Sequence, residues 1–346
     1  MKTLKDYNLE NKKVLVRCDF NVPLSSDGLV LDDFRIKKTV PTIEYLMARK
    51  AKIILISHLD DPGGRIAPNL KMAPVKKKLS ECLNKNVRMS RDCIGDEVVK
   101  DVRMLKPGEV LLLENLRFHP EEEAGSMEFA KKLSELGEVY INDAFGCCHR
   151  KHASIVGVPQ LLPSAAGLLL EKEIEVLSAI IENPKKPLVV IIGGEKIETK
   201  SKLIDRISEI ADCVMLGGLM QKEMEEKQMT LKNRDKITMT VDELYGGLDI
   251  GPKTIDLFCE KISGAKTIFW NGPLGRIEED KYQVGSREIA QAIVRSDAYS
   301  VVGGGETMEF LNEIGLADDF SHASTGGGAM LVYLSGDDLP GIEALK

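Results

Sequence analysis

Short, wholly apolar runs alternate along this chain with longer stretches of helical periodicity, and that rhythm constrains the fold more than any single motif. Strand-length runs are predicted at 13–17, 52–57, 110–113, 139–142, 188–192, 213–216, 236–239, 267–270 and 300–302. Most are apolar at every position rather than at every second one, as strands buried on both faces should be. Helical patterns such as 41–49 and 286–295 lie between them. Strand alternating with helix implies parallel sheets joined by right-handed crossovers. At 346 residues the chain is too long for one ordinary domain. The runs fall into an early set ending near 142 and a later set beginning near 188. The expected fold class is therefore α/β, with two doubly wound, parallel-sheet (Rossmann-like) domains. Between the sets, Ile174, Leu177, Ala179, Ile180 and Ile181 form an apolar stripe closed by Asn183-Pro184. This predicts an interdomain hinge helix over 171–184, an N-terminal domain over 1–170 and a C-terminal domain over 185–328.

Hydrophobic residues make up 43% of the chain and charged residues 29%, which excludes global disorder. No run approaches the ~18 apolar residues of a membrane span, and the first residues lack the apolar core of a secretory signal. A net charge of −7 argues against general nucleic-acid binding. The seven cysteines are odd in number and contain no C-x-x-C pair, so they read as free thiols of a cytoplasmic protein. The vicinal Cys147-Cys148 reads as two small buried residues. The runs Lys76-Lys77-Lys78 and Glu121-Glu122-Glu123 read as solvated surface without function, and Trp270 as core.

Ligands of parallel α/β sheets bind past the carboxyl ends of the strands. In the first half those positions are polar and largely cationic: Arg17, Asp19 and Asn21 after the first strand, His58 after the second, Arg117 after the third, His149, Arg150 and His152 after the fourth, with Arg35 beyond the first loop. Arginines and histidines converging on one sheet edge of an acidic protein predict a site for a small, highly anionic ligand. In the second half the strand ends are glycine-rich: Gly193-Gly194, Gly217-Gly218, Asn271-Gly272-Pro273 and Gly303-Gly304-Gly305-Glu306-Thr307. Glycine between strand and helix lets backbone N–H groups approach phosphate. Lys196 and Lys200 are expected on one face of a helix following Gly194, and Ser324-Thr325-Gly326-Gly327-Gly328 offers another helix N-terminus.

Other templates fit poorly. A Walker-type loop, an early G-x-G-x-x-G, a G-x-S-x-G elbow and H-E-x-x-H are all absent. His149-x-x-His152 lacks an acidic or cysteine partner at metal-ligand spacing. A nicotinamide oxidoreductase rests only on the glycine-rich α/β pattern.

Taken in order, Arg17-Cys18-Asp19-Phe20-Asn21, Leu113-Glu114-Asn115-Leu116-Arg117, Asn142-Asp143-Ala144-Phe145-Gly146, His149-Arg150-Lys151-His152, Gly193-Gly194-Glu195-Lys196, Trp270-Asn271-Gly272-Pro273, Gly303–Thr307 and Ser324–Gly328 resemble the phosphoglycerate kinase family over nearly the whole chain. The resemblance implies reversible phosphoryl transfer from 1,3-bisphosphoglycerate to Mg-ADP, giving 3-phosphoglycerate and Mg-ATP, after hinge closure. It further implies a tail over 329–346 that returns to the N-terminal domain. Asp19, Asn21, His58, Arg117 and Arg150 would bind 3-phosphoglycerate, with Arg17 and His149 widening the basic patch. Arg35 and Lys200 would serve the moving phosphoryl group, and Gly326 and Gly327 the transition state. Gly193, Gly194, Lys196, Gly217, Gly218, Asn271, Pro273, Glu278, Gly304, Gly305, Glu306 and Thr307 would hold the nucleotide, Glu306 also meeting its Mg2+. The expected partners are these small molecules alone, with no nucleic acid and no membrane, and the expected state is a monomer.

The chain departs from the family pattern at Asp61, where an arginine is usual, at Glu195, at Thr199, and at Glu306 in place of aspartate. The segment 221–235 is shorter and more polar than its family counterpart, which helps wall the adenine pocket. These departures motivate an alternative: a divergent paralogue that binds anionic ligand or nucleotide with weak or no transfer.

Overall fold

The computed structural model describes residues 1–346, which group into two compact units, Met1–Ile174 with Asp338–Lys346, and Glu175–Asp337. In unit 1, strands β1 (Lys13–Cys18), β2 (Lys52–Ile56), β3 (Arg88–Met89), β4 (Val110–Leu112), β5 (Val139–Asp143) and β6 (Ser164–Ala166) form one parallel sheet in the order β3-β4-β2-β1-β5-β6. Helices α1 (Phe34–Ala48), α2 (Ala73–Leu83), α3 (Asp96–Arg103), α4 (Pro120–Glu123) and α5 (Met127–Ser134) connect them. The apolar strands are buried: Val14, Val16, Ile53, Leu55, Leu112 and Ile141 pack against Ile43 and Leu46 of α1 and Val75 and Leu79 of α2. The chain steps from β1 to β2 on one side and later reaches β5 on the other. The crevice between β1 and β5 is thus the topological switch point, where such sheets take ligands.

Helix α6 (Leu168–Glu182) contains the cut between the units, which falls after Ile174. In unit 2, β7 (Leu188–Ile192), β8 (Cys213–Leu216) and β9 (Ile237–Thr238) precede a small antiparallel pair, β10 (Glu243–Leu244) and β11 (Asp249–Ile250). Strands β12 (Thr267–Asn271), β13 (Tyr299–Gly303) and β14 (His322–Ala323) follow. The parallel sheet runs β14-β13-β12-β7-β8-β9, with its switch point between β7 and β12. Helices α7 (Ser201–Ile210), α8 (Gly218–Glu226), α9 (Pro252–Ser263), α10 (Val284–Arg295), α11 (Gly305–Glu313) and α12 (Gly328–Leu334) belong to this unit. The last helix, α13 (Pro340–Glu343), lies in the segment that belongs to unit 1.

Several elements differ from expectation. Helix α1 begins at Phe34 and runs through Pro41, whereas the sequence pattern starts it at Pro41. The ring costs one backbone bond, but Ile36, Ile43 and Leu46 form one buried stripe that carries the helix past it. Arg35 consequently sits in the first helical turn. The run at 236–239 opens as a 3-10 turn, Arg234–Lys236, and only Ile237–Thr238 pair as an edge strand. Strands β3, β6 and β14 are two or three residues long, too short to show as apolar runs. Residues 329–337 stay with unit 2, α12 packing on α7, and only the last nine residues join unit 1. No helix is long and apolar enough to cross a membrane.

Candidate functional site

Two polar clusters lie at the two switch points. In unit 1, Arg17 ends β1 fully buried, a position that requires every donor to find a partner. Its Nε donates to Ser154 Oγ at 2.9 Å and its Nη1 to the Cys18 carbonyl. Its Nη2 lies 3.3 Å from His58 Nδ1 and 3.7 Å from Cys147 Sγ. Arg35 Nη1 donates to the Asn21 carbonyl at 2.9 Å and pairs with Asp19 at 3.3 Å. Asn21 Oδ1 accepts from the Asp60 amide at 2.8 Å, and the Asp60 carbonyl accepts from Arg117 Nη1 at 2.8 Å. Arg117 Nε pairs with Glu123 at 3.1 Å. These links form two groups, one around Arg17 and His58 and one through Asp19, Arg35, Asn21 and Arg117, and they meet where Asp19, His58 and Cys147 bring polar atoms within 4.8 Å of one another. His149, half-buried, carries a buried Nδ1 without a hydrogen-bond partner, and Arg150 is exposed.

The positive charge of this cluster comes from guanidinium alone. Burial, then Arg17, Arg117 and Arg35, hold the His58 imidazole well below its ordinary value. Burial and Arg117 hold His152 down to about 4, and burial with Arg150 lowers His149. The histidines, expected as part of a cationic rim, are neutral near pH 7 in the free chain. An arriving anion would favour their protonation.

Sequence reasoning missed the support of this cluster. Glu122, read as solvated surface, is fully buried. Its carboxylate accepts from Ser154 Oγ at 2.5 Å and from the Ser154 amide at 2.9 Å, and Ser154 holds Arg17. Glu123 pairs with Arg117. The acidic run after Pro120 carried no sequence signal beyond charge, because what buries it is the turn at Ala153–Gly157, distant in the chain. Both vicinal cysteines are buried as expected, yet Cys147 also faces the cluster, its thiol pushed up to about 11 by burial and Asp19. Asp61 is exposed and accepts from the Gly63 amide of its own turn at 3.1 Å.

In unit 2 the turns after β7 and β12 interlock. The Gly193 amide donates to the Asn271 carbonyl at 2.9 Å and the Gly194 amide to the Pro273 carbonyl at 2.8 Å. Gly194 has φ +90°, open to glycine at little cost. Lys200 Nζ donates to the Gly193 carbonyl at 2.7 Å. Burial pushes its ammonium down to about 8, with Glu306 opposing the shift. Asn271 Nδ2 donates to the Gly303 carbonyl at 2.7 Å, while its buried Oδ1 has no partner. The Gly272 amide donates to Thr307 Oγ1 at 2.9 Å. Gly304, at φ +113°, caps α11, whose first turn carries Glu306 and Thr307. The Gly217 turn approaches Gly193, and Gly218 opens α8 against the Glu243 carboxylate. Lys200, Gly193, Gly194, Gly217, Asn271, Pro273, Gly304, Gly305, Glu306 and Thr307 thus gather at one sheet end.

Four expected members are not drawn in by these contacts. Lys196 is exposed while Lys200 is half-buried, because residues 193–200 form a turn-rich loop and α7 starts only at Ser201; the two lysines share no helical face. Glu278 is exposed, with Arg276 at 4.0 Å. Gly327 precedes α12 at φ 46°, and the Gly326 amide already donates to Ser324 Oγ at 3.0 Å. Trp270 is core, fully buried, its indole N–H on the Gly272 carbonyl at 2.8 Å.

The family model for phosphoglycerate kinase matches residues 4–231 and 221–337. The chain is 42% identical to the phosphoglycerate kinase of Dictyoglomus turgidum over 392 aligned positions, covering 99% of this chain and 98% of the relative. It is 43% identical to that of Leptospira biflexa over 386, covering 99% and 97%. Solved phosphoglycerate kinases superpose on it: that from Pyrococcus horikoshii with TM-score 0.88 and 31% identity over 100% and 98% of the two chains, and that from Coxiella burnetii with 0.83 and 32% over 99% and 98%. An alignment of 392 positions on a 346-residue chain leaves at least 46 positions without a residue here. The two family matches overlap at 221–231, inside the shortened segment.

Proposed function

The chain belongs to the phosphoglycerate kinase family, and from that premise we propose how its two units divide the reaction, the reversible transfer of a phosphoryl group from 1,3-bisphosphoglycerate to ADP that yields 3-phosphoglycerate and ATP. Unit 1 takes the acid. Arg17, Arg35, Arg117 and Arg150 supply fixed positive charge, Asp19 and Asn21 hold Arg35 and the Asp60 turn in place, and His58 and His149 offer neutral imidazoles. Guanidinium suits this task because it binds phosphate and carboxylate through paired donors and never deprotonates.

Unit 2 takes the nucleotide. Lys200 and Lys196 carry the charge; Gly193, Gly194, Gly217, Gly218, Gly304 and Gly305 leave room for close backbone approach; and Asn271, Pro273, Glu278 and Thr307 line the remainder. The orphaned Asn271 Oδ1 supports a polar ligand there. Mg2+ fits this donor set through Glu306, an exposed carboxylate at the start of α11. The ion prefers oxygen, and one carboxylate plus phosphate oxygens satisfies it without a protein cage. When bound, it neutralises charge on the nucleotide phosphates. The acceptor carboxylate of 3-phosphoglycerate is ionised at pH 7, so no general base is required. Positioning by Arg35 and Lys200, with the Gly327 amide and with the Gly326 amide once it leaves Ser324 Oγ, accounts for the rate. The free thiols support a cytoplasmic location.

The observation that carries this division is the convergence of Arg17, Arg35 and Arg117 on the buried, neutral His58. The test is a coupled assay with 3-phosphoglycerate and Mg-ATP. Arg35→Ala and Lys200→Ala should each lower kcat by about 10²–10³, the usual loss for one preorganised donor. Because free Lys200 titrates at about 8, KM for Mg-ATP should rise above that pH, and Lys200→Arg should flatten the rise while keeping a reduced rate. Unchanged kcat in both alanine variants would overturn the division.

A further inference from the structure

Beyond both clusters, unit 1 holds a third convergence of chemistry-bearing side chains. Asp92 and Cys93 follow β3. His119 follows the 3-10 turn Leu116–Phe118 that lies beyond β4. Because β3 and β4 are paired neighbours, both segments leave the same end of the sheet. One carboxylate oxygen, the Cys93 sulfur and one imidazole nitrogen all lie within 4.8 Å of one another. His119 Nε2 is 2.7 Å from Asp92 Oδ1, and its ring rests on Phe129 with centroids 5.4 Å apart. Cys93 is fully buried, His119 is 24% exposed and Asp92 51% exposed, so the group has a closed floor and an open mouth.

We propose that Asp92, Cys93 and His119 form a site for a borderline-soft divalent ion of the Zn2+ class, with a water in the fourth position. Zinc takes sulfur at about 2.3 Å and nitrogen or oxygen at about 2.0–2.2 Å in a tetrahedron, so ligands about 3.3–3.7 Å apart are needed. His119 Nε2 and Asp92 Oδ1, 2.7 Å apart, would have to separate to admit the ion, and all three atoms start within 4.8 Å of one another. The donor set selects the ion: a thiolate and an imidazole exclude Mg2+ and Ca2+, which prefer oxygen. The other mixed triad, Asp19, His58 and Cys147, lies among three guanidiniums and belongs to the acid site. Binding converts the Cys93 S–H to a metal-bound thiolate and releases one proton to solvent, with no change of oxidation state. The ion would tie the 90–95 loop to the turn that carries Arg117.

The test uses the full-length chain, reduced, stripped with chelator and titrated anaerobically with Co2+. A thiolate-to-cobalt charge-transfer band should grow, saturate at one ion per chain and disappear on adding Zn2+. Cys93→Ser should abolish the band and Cys147→Ser should leave it. His119→Gln and Asp92→Asn should weaken Co2+ binding at least about 10-fold. Zn2+ should raise Tm of the wild-type chain and not of His119→Gln. If Cys93→Ser fails to fold, His119→Gln, changed at a part-exposed ring, decides the question. No thiolate band, a band lost in Cys147→Ser, or undiminished affinity in His119→Gln would each overturn the site.

Discussion

Arg17 cannot swing: Ser154 holds its Nε, and Glu122 holds Ser154 through both the hydroxyl and the amide. The carboxylate is buried, so its two acceptor oxygens and its charge are all engaged in aiming one guanidinium. Glu122→Gln keeps the shape but removes the charge and turns one acceptor into a donor: with its oxygen on the Ser154 amide, its N–H2 faces Ser154 Oγ, whose hydroxyl hydrogen loses its acceptor. We expect KM for 3-phosphoglycerate to rise about 10-fold, about 1.4 kcal/mol, with KM for Mg-ATP unchanged; equal shifts in both constants would mean that the relay does not act through Arg17. The neutral histidines make a second prediction. His152 titrates at about 4 in the folded chain against about 6.5 unfolded. Its folded value is depressed, so between those values the unfolded chain binds the extra proton, and stability is present above pH 6.5 and lost as pH falls towards 4. Asp143, raised to about 7 by burial, works in the opposite sense, stabilising below its unfolded value and losing that contribution as pH rises through 7. Glu122 lies 4.0 Å from His152 and softens the loss. Replacing His152 by Asn should therefore flatten the decline of the urea midpoint between pH 6.5 and 4. The expected difference is roughly 1–2 kcal/mol after allowing for partial solvent screening.

At the scale of elements, the turn after β7 is packed so closely on the turn after β12 that a methyl group has nowhere to go. A Cβ on Gly193 would stand 2.0 Å from the Pro273 carbonyl and 2.6 Å from that of Gly272, both backbone atoms. At Gly218 a Cβ would meet Glu243 Oε1 at 2.4 Å, but that is the free end of an exposed side chain. Gly193→Ala should cost about 1–3 kcal/mol and raise KM for Mg-ATP, whereas Gly218→Ala should leave stability within about 0.5 kcal/mol. Urea midpoints of the two variants check the contrast. The same distinction explains what was legible beforehand. Continuous apolar runs marked the central strands β1, β2, β4, β5, β7, β8, β12 and β13, because burial on both faces leaves no polar position. Edge strands β3, β6 and β14 escaped, since two or three paired residues impose no pattern, and the run at 236–239 marked β9 but overstated its length. Residues at the carboxyl ends of central strands, Arg17, His58, Asn271 and Gly193, were visible because topology alone places them at a switch point or on the strand beside one. Glu122, Ser154 and Cys147 were not, because their roles arise from contacts between segments far apart in sequence. The helical face assigned to Lys196 and Lys200 failed for a local reason: eight residues of turn separate β7 from α7, so spacing by four carries no helical meaning there.

The chain as a whole is threaded so that unit 1 is discontinuous: it leaves after Ile174 and is completed by the last nine residues. Those residues are not a loose end. Leu339, Ile342 and Leu345 are 2%, 9% and 5% exposed. The Gly341 amide donates to the Cys148 carbonyl at 2.8 Å, and a Cβ on Gly341 would meet Cys148 and Ile155 within about 3 Å. The tail therefore packs against the turn that carries Cys147, His149 and Arg150, and links the C-terminus to the acid site through unit 1 itself. A chain ending at Asp337 should keep unit 2 intact and lose stability only in unit 1, by about 3 kcal/mol or more, since three apolar pockets are emptied at once. The single tryptophan makes this separable, because Trp270 is buried in the unit 2 sheet and its emission follows that unit alone. Far-UV circular dichroism of the truncated chain should show a new unfolding step at low urea, while the Trp270 midpoint stays where it is in the full chain. The same truncation should raise KM for 3-phosphoglycerate more than KM for Mg-ATP, because the loosened turn carries acid-site residues and no nucleotide-site residue. A Trp270 midpoint that falls together with the circular dichroism signal would show that the tail stabilises both units, and the assignment of residues 338–346 to unit 1 alone would be wrong.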